Sequence, residues 1–330
     1  MLRSLPKIDV ATLIAFGCIV LLLLLGGVAK PGFLSVDYLG QQLQVAAFLG
    51  VIATGEMIVI LMGQIDLSIP WTIGIGGMMA TGASGILGTA LGVPLAVPFG
   101  ILCGALIGVV NGWGVAYLRA PSMIFTLGMN AVAQGLMVYH TGGFAPQDRA
   151  TSLMIELASG QWIPGLSNPL LVWIALGAIT VYILTRTVFG RQIYAIGNRE
   201  RAVFLSGVDS RRVTLIAFAF SGACAAAGGV LLAGWANRSY QAMGDPYLLP
   251  TIAAIVLGGT NVLGGRGTYL GTVAGVILIT LLQSILSVLQ PQDYFASMGI
   301  KLPADVFRQV VFGLVIIVMM MLYGREKAVR

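Results

Sequence analysis

Residues 60–71, "ILMGQIDLSIPW", interrupt a long apolar run. From Leu43 to Leu91 the only ionisable residues are Glu56 and Asp66. Gln64, Asp66 and Ser68 sit between two segments that are each fit to cross a bilayer as helix, which takes about 20 mostly apolar residues. The stretch therefore reads as the link between two spans, and the composition of the whole chain agrees. Of its 330 residues 58% are hydrophobic and only 9% are charged, with mean hydropathy +0.94. A soluble domain carries about 25% charged residues. So few charges cannot cover a water-exposed surface, and the chain reads as a polytopic membrane protein.

Working outward from that link, apolar segments fall near 10–28, 42–62, 69–91, 93–118, 122–140, 168–186, 212–235, 248–264, 268–290 and 305–323. They predict an all-α transmembrane bundle of about ten spans, built as a single domain over 1–330. Only "GTALGVPLAVP" divides the third segment from the fourth. The eighth is short and glycine-rich, which implies a broken or tilted span. Barrel strands would give weak alternating segments of about 10 residues, and these unbroken runs do not. The first apolar segment follows "MLRSLPK" like a signal peptide, but it is long and "GGVAKPGF" is a poor cleavage site, so it reads as a retained helix.

An even number of spans with both termini cytoplasmic divides the 18 Lys and Arg residues unevenly. Arg3, Lys7, Arg119, Arg186, Arg191, Arg199, Arg201, Arg211, Arg212, Arg266, Arg325, Lys327 and Arg330 fall inside. Lys30, Arg149, Arg238, Lys301 and Arg308 fall outside. This is the positive-inside pattern, and the opposite orientation reverses it. Cytoplasmic loops account for the basic residues, so no nucleic-acid partner is expected.

Two connecting segments have substance. Residues 141–167, "TGGFAPQDRATSLMIELASGQWIPGLS", form the outer one. Residues 187–211, "TVFGRQIYAIGNRERAVFLSGVDSR", form the inner one. Within the latter, "NRERAVFLSG" suits a short helix with Asn198 as N-cap, Gly207 as C′ residue, and Phe204 and Leu205 as an apolar face. A plain connector is the simpler reading, but connections this long in a compact bundle tend to be functional. Gly100, Gly104, Gly108 and Gly112 form a ladder of small residues, and Ala217, Ser221, Ala225, Gly229 and Ala233 form a second. Flat faces of this kind let helices pack closely in lipid.

Several chemistries are missing. The four lysines, Lys7, Lys30, Lys301 and Lys327, are never preceded by Gly, so no phosphate-binding GxxxxGK[ST] loop exists. Neither HExxH nor a His–nucleophile pairing is present. Cys18, Cys103 and Cys224 each fall inside a predicted span, at spacings that fit neither a disulfide framework nor a metal site. The single histidine, His140, ends a span and has no partners for a metal. Neither catalysis nor a cofactor is expected.

Glu56 is the one carboxyl well inside a predicted span, where a charged group is expensive. One reading makes it part of a polar pathway or proton relay. The other, which we favour, makes it a hydrogen-bonding group that ties helices together or lines a cavity, since burial can hold a carboxyl neutral. Asn111, Asn130, Gln134 and Gln283 are further polar residues within or near spans, with Trp113, Phe125 and Tyr139 nearby. Amides beside aromatic faces suit a sugar-like solute, and buried amides equally bridge helices. Glu56, Asn111, Asn130 and Gln134 are the candidates for a translocation pathway.

Three motifs carry a family resemblance. "GQIDLSIP", with Asp66, Leu67 and Ser68, resembles the GGIDLSVG signature of the ribose/xylose/arabinose-type permeases of bacterial ABC importers. "YAIGNRERAVFLSGVDSRRV" is similar to that family's cytoplasmic segment, A-I-G-x-N-x-x-A-x-x-L-S-G-[IV]. "IAAIVLGGTNVLGGRGTYLGT", with Gly258, Gly259, Gly264, Gly265 and Arg266, resembles its I-A-A-V-V-L-G-G-T-x-x-x-G-G-R-G-[ST]. The three occur in order with matching spacing, so the resemblance covers nearly the whole chain. Departures occur at Gln64 and Pro70 in the first motif and at Ala202-Val203 in the second.

The resemblance implies a bacterial inner-membrane permease for a monosaccharide or similar small polar solute. It implies a second permease subunit, a cytoplasmic ATP-binding subunit and a periplasmic solute-binding protein as partners. A short helix at 199–206 would then seat in a groove on the ATPase, drawing on Arg191, Asn198, Arg199, Glu200, Arg201, Phe204, Ser206 and Gly207. The loop 141–167 would meet the binding protein. Arg266 stays open between a local anchor and a second contact to the ATPase. Two other readings stand beside this one: an ion- or proton-coupled secondary carrier using Glu56 and Asp66, and a related ABC permease for a polyol or an autoinducer. In all of them Asp66 falls at the cytoplasmic end between spans two and three, where charge is cheaper. There Asp66 or Ser68 would cap the next helix, with Pro70 in its first turn.

Overall fold

A computed structural model describes residues 10–289 and, beyond them, residues 303, 306, 307, 310, 311, 313, 314 and 317. The described residues form a helical bundle. In chain order the helices are α1 Val10–Ala29, α2 Val36–Leu61, α3 Ile69–Thr81, α4 Ala83–Leu87, α5 Thr89–Ala116 and α6 Ser122–His140. There follow α7 Ser152–Ser159, α8 Asn168–Arg186, α9 Val188–Leu205, α10 Ser210–Trp235, α11 Leu248–Leu257 and α12 Tyr269–Leu289. Seven are long and apolar enough to cross a membrane: α1, α2, α5, α6, α8, α10 and α12. The segment expected at 305–323 lies outside the described residues apart from isolated positions.

The third predicted segment, 69–91, is not one helix. It stops at Thr81, and α4 and the start of α5 follow after Gly82 and Gly88. Gly88 has φ of +77°, a left-handed conformation that turns the chain at little cost only for glycine. α11, a 10-residue helix, falls in the segment expected near 248–264 and is shorter than the seven helices able to cross a membrane. It is preceded by a 3-10 turn over Asp245–Tyr247 and ends at Gly258. Inside the segment 141–167, α7 is a further helix, begun by Thr151, whose hydroxyl accepts the Met154 N–H at 3.4 Å.

α2 and α10 are the inner pair, and α1 and α6 show most of their length to the outside. The glycine ladder of α5 lies on α10. A Cβ on Gly104, Gly108 or Gly112 would overlap the main chain around Gly222, Phe218 or Leu215. The second small-residue stripe does not meet that ladder. Ser221 abuts Gly55 of α2, and Gly229 abuts Ile73 and Gly77 of α3. α10 thus has a different flat face for each of three neighbours. Two buried side chains from other helices join this core: Trp173 of α8 packs on Gly50, and Tyr269 of α12 shares a hydrogen bond with the Thr54 hydroxyl at 2.8 Å.

Helix direction sorts the connections. α6 and α10 both begin at the end of the bundle that carries α9. Both finish at the other end, where Ala150 N–H donates to the Asn237 carbonyl at 3.3 Å. The α2–α3 turn, α9 and the turn between α11 and α12 therefore share one end, and the 141–167 segment lies at the opposite end.

Candidate functional site

The 62–68 turn folds back against the helix it leaves. Asp66 is 2% exposed and Glu56 is fully buried, and the Asp66 N–H donates to Glu56 Oε1 at 3.0 Å. This corrects the expectation that Asp66 stands where charge is cheap: it is buried against Glu56. One Asp66 oxygen, Oδ1, accepts from the Ser68 N–H at 2.9 Å and the Ser68 hydroxyl at 2.6 Å. Asn111 of α5 donates Nδ2 to Ser68 Oγ at 2.7 Å and lies 3.4 Å from the same Asp66 oxygen. Neither Asp66 nor Ser68 caps α3: the Ser68 hydroxyl is spent on Asp66, and the Asp66 carboxylate closes a local turn onto the N–H two residues on. Pro70 does stand in the first turn of α3, where its missing N–H costs little.

This cluster ties α2, α3 and α5 together, and Ser221 of α10 sits beside Glu56 without a well-aligned hydrogen bond to it. Glu56 Oε2, Asn111 Oδ1 and Ser221 Oγ are buried without a partner. Glu56 and Asn111 therefore line no surface here.

α6 closes over the turn from outside. The Ile65 N–H donates to Ser122 Oγ at 3.2 Å, the Leu67 N–H to Thr126 Oγ1 at 2.9 Å, and the Trp71 N–H to Asn130 Oδ1 at 3.3 Å. Asn130 is half-buried through this bond, while Gln134, four residues on, is exposed. Ser122 and Thr126 were missed by the sequence reading. Their only signal is the four-residue spacing they share with Asn130 and Gln134.

Below the turn the three motifs meet. The Gly265 N–H donates to the carbonyl of Leu61, the last residue of α2, at 2.8 Å. Asn198 Nδ2 donates to the Gly265 carbonyl at 3.2 Å and to Tyr194 O at 2.8 Å, and the Tyr194 hydroxyl donates to the Gly267 carbonyl at 2.9 Å. The turn closes on itself through Asn261 N–H to Arg266 O and Gly264 N–H to Asn261 O. Gly264 and Gly265 have φ of +85° and +76°. A Cβ on Gly264 would lie 2.6 Å from the Gly63 nitrogen, and one on Gly265 2.6 Å from the Asn198 side chain. Glycine is required here for both conformation and proximity. Arg266 itself is exposed.

Asn198 is thus a fastener between α9 and the glycine turn, and the expected N-cap role falls away. The helix does break beside it: Arg199 has φ −158° and ψ 90°, extended backbone inside α9. Helix resumes and ends as expected at Gly207, whose φ is +80°. Gly207 N–H donates to Phe204 O at 3.0 Å and Val208 N–H to Val203 O at 3.4 Å, the paired bonds of a Schellman ending. Arg191, Arg199, Glu200, Arg201 and Ser206 are exposed, and Phe204 and Leu205 are 66% and 85% exposed. Ala195, Asn198, Arg199, Ala202, Val203 and Ser206 line a shallow open groove along this helix. Ser210 Oγ holds Glu200 Oε1 at 3.3 Å, fastening the short helix to the start of α10.

The family model for the branched-chain amino acid transport system permease component matches residues 38–320. The chain belongs to this permease family. It is 31% identical over 287 residues to the ribose import permease protein RbsC of Haemophilus influenzae, covering 85% of this chain and 87% of that protein. It is 31% identical over 313 residues to RbsC of Bacillus subtilis, covering 93% and 91%. It is 30% identical over 287 residues to the autoinducer 2 import system permease protein LsrC of Shigella flexneri, covering 82% and 78%. No solved structure matches the chain. A permease must join an aqueous face to its membrane core. Here an exposed basic helix, a glycine turn and the end of the most buried span are joined by hydrogen bonds between side chain and main chain.

Proposed function

We propose that this permease is the membrane subunit of a bacterial inner-membrane ABC importer for a monosaccharide or a similar small polar solute. It works as a dimer of permease subunits with ten spans each and both termini cytoplasmic. A separate ATPase seats on the 199–206 helix, and a periplasmic binding protein delivers solute at the 141–167 segment. The observation that carries this reading is the junction of Leu61, Asn198 and Gly265. Movement of the short helix by the ATPase pulls on the glycine turn and through it on the end of α2. The break at Arg199 sets that helix off from the rest of α9, and its exposed Phe204 and Leu205 supply the apolar contact for a protein partner.

Glu56 and Asp66 serve as structural partners of the folded-back turn, which leaves Asn130 and Gln134 on α6 as the pathway-side amides. Sugar as substrate is supported by the ribose import relatives, and an autoinducer by LsrC. Reconstitution in proteoliposomes with the partner ATPase and binding protein tests the proposal. Labelled ribose should accumulate only with all components and ATP. Uptake without the ATPase would refute the proposal in favour of a secondary carrier. Thermal shift of the binding protein against ribose, polyols, autoinducer 2 and branched-chain amino acids then identifies the solute.

A further inference from the structure

Three buried or half-buried N–H groups at the 65–71 turn have no acceptor in their own segment. Ile65 and Leu67 precede the helix, and Trp71 lies in the first turn of α3, where N–H groups lack a carbonyl one turn back. α6 supplies all three acceptors from one stripe, Ser122, Thr126 and Asn130. The turn that presents these donors is braced from the other side by Glu56, Ser68 and Asn111. The stripe also has a fourth rung: Gln134 continues the spacing, is exposed, and makes no hydrogen bond among the described residues. Gly128 and Gly135, on the outward side of α6, have open space where a Cβ would stand.

This arrangement restricts how α6 can move. A displacement by a fraction of a turn leaves three N–H groups facing between side chains, and an unmade buried hydrogen bond is costly. A displacement of one whole turn does not. Four residues at 1.5 Å each are about 6 Å, and that step brings Thr126, Asn130 and Gln134 onto the N–H groups of Ile65, Leu67 and Trp71. Met129 and Met137 flank Ala133 on the buried side, and flexible thioether chains refill such a face readily. One-turn ratchets are an established way for a packed helix to hold two positions.

We propose that Ser122, Thr126, Asn130 and Gln134 are positioning residues for transport, a ladder on which α6 occupies two registers one turn apart, with Gln134 taking the Trp71 N–H in the second. The inference rests on the reading of the chain as an ATP-driven permease. The two ends of the ladder make it testable, because Ser122 serves only the register seen here and Gln134 only the other.

Pulsed electron–electron resonance on the full chain in nanodiscs with its ATPase subunit reads the register. Labels go on Tyr139→Cys and Ile216→Cys, both exposed, with Cys18, Cys103 and Cys224 replaced and the labelled chain diluted with unlabelled protein. Because α6 and α10 run the same way, a one-turn shift moves the α6 label about 6 Å along the axis, and the distance between the labels should change in one discrete step of up to about 6 Å between nucleotide-free and ATP-trapped complexes. Ser122→Ala should raise the ratio of shifted to unshifted register about tenfold, and Gln134→Leu should lower it about tenfold. Gln134→Thr, which keeps an acceptor, should restore the turnover that Gln134→Leu loses and return the register ratio to that of the unsubstituted protein. A nucleotide-independent distance, a shift of only a fraction of a turn, or equal effects of the two end variants overturns the ladder while ATP-driven uptake persists. Absence of ATP-driven uptake in the unsubstituted protein defeats the permease reading itself.

Discussion

Replacing Glu56 separates a structural carboxyl from a coupling one. Glu56 Oε1 accepts the Asp66 N–H at 3.0 Å, and Oε2 lies buried beside a partnerless Ser221 hydroxyl. Glu56→Gln keeps the first acceptor and puts an NH₂ where Oε2 stands, giving Ser221 a donor. Its expected effect on stability is within ~1 kcal/mol of zero, because the Asp66 N–H keeps its acceptor. Glu56→Ala removes the acceptor instead. Orphaning the buried Asp66 N–H costs ~1–3 kcal/mol, and the emptied volume adds ~1–2 kcal/mol. The Ala variant should therefore lose thermal stability in detergent by ~2–5 kcal/mol, in the range of broken buried networks. The assays are thermal unfolding followed by tryptophan fluorescence, and ATP-dependent solute uptake in proteoliposomes. Gln should retain both, and Ala should lose stability and, with it, uptake. A Gln variant that folds as well as the parent but no longer transports would refute this reasoning and make the carboxyl a working part of an ion-coupled cycle.

Gly265→Ala places a Cβ at 2.6 Å from Asn198 on a backbone with φ of +76°. The strain is ~1–2 kcal/mol, and uptake per ATP hydrolysed should fall while membrane insertion is kept. Thr126→Val leaves the Leu67 N–H without an acceptor and should cost ~1–3 kcal/mol in thermal unfolding, with Thr126→Ser restoring it. Exchange of 199–206 for a Gly/Ser linker should leave the chain inserted but uncouple ATP hydrolysis from uptake, measured side by side in the same vesicles. Normal coupled uptake after that exchange would remove the short helix from the drive train.

Much of the bundle is legible in hydropathy. The segments expected at 122–140 and 168–186 coincide with α6 and α8, and those near 10–28, 212–235 and 268–290 differ from α1, α10 and α12 by a residue or two. The break after Thr81 is not legible, because "ATGASGILGTALG" stays apolar on both sides of it and only the backbone of Gly88 reveals the turn. The fold-back of Asp66 onto Glu56 is invisible for a related reason. Hydropathy orders residues along one axis and has no term for a turn that re-enters the protein. Capping logic pointed at Asn198, Asp66 and Ser68 because their side chains suit helix starts, yet Asp66 and Ser68 bond to each other in a local turn and Asn198 reaches across the fold to the Gly265 carbonyl. Gly207 was legible because its role is local.

The bond between Glu56 and the Asp66 N–H also bears on how this chain enters a membrane. An ionisable side chain at the centre of a lone helix costs ~2.5–3.5 kcal/mol during insertion. Asn111 and Ser221 lie on helices synthesised later than α2, so neither is available when α2 leaves the translocon. The Asp66 N–H is only ten residues away, on the same nascent hairpin. The polar group thus carries its partner into lipid with it, and α2 with its folded-back turn can partition as one unit before the helices that will finally bury it have been made.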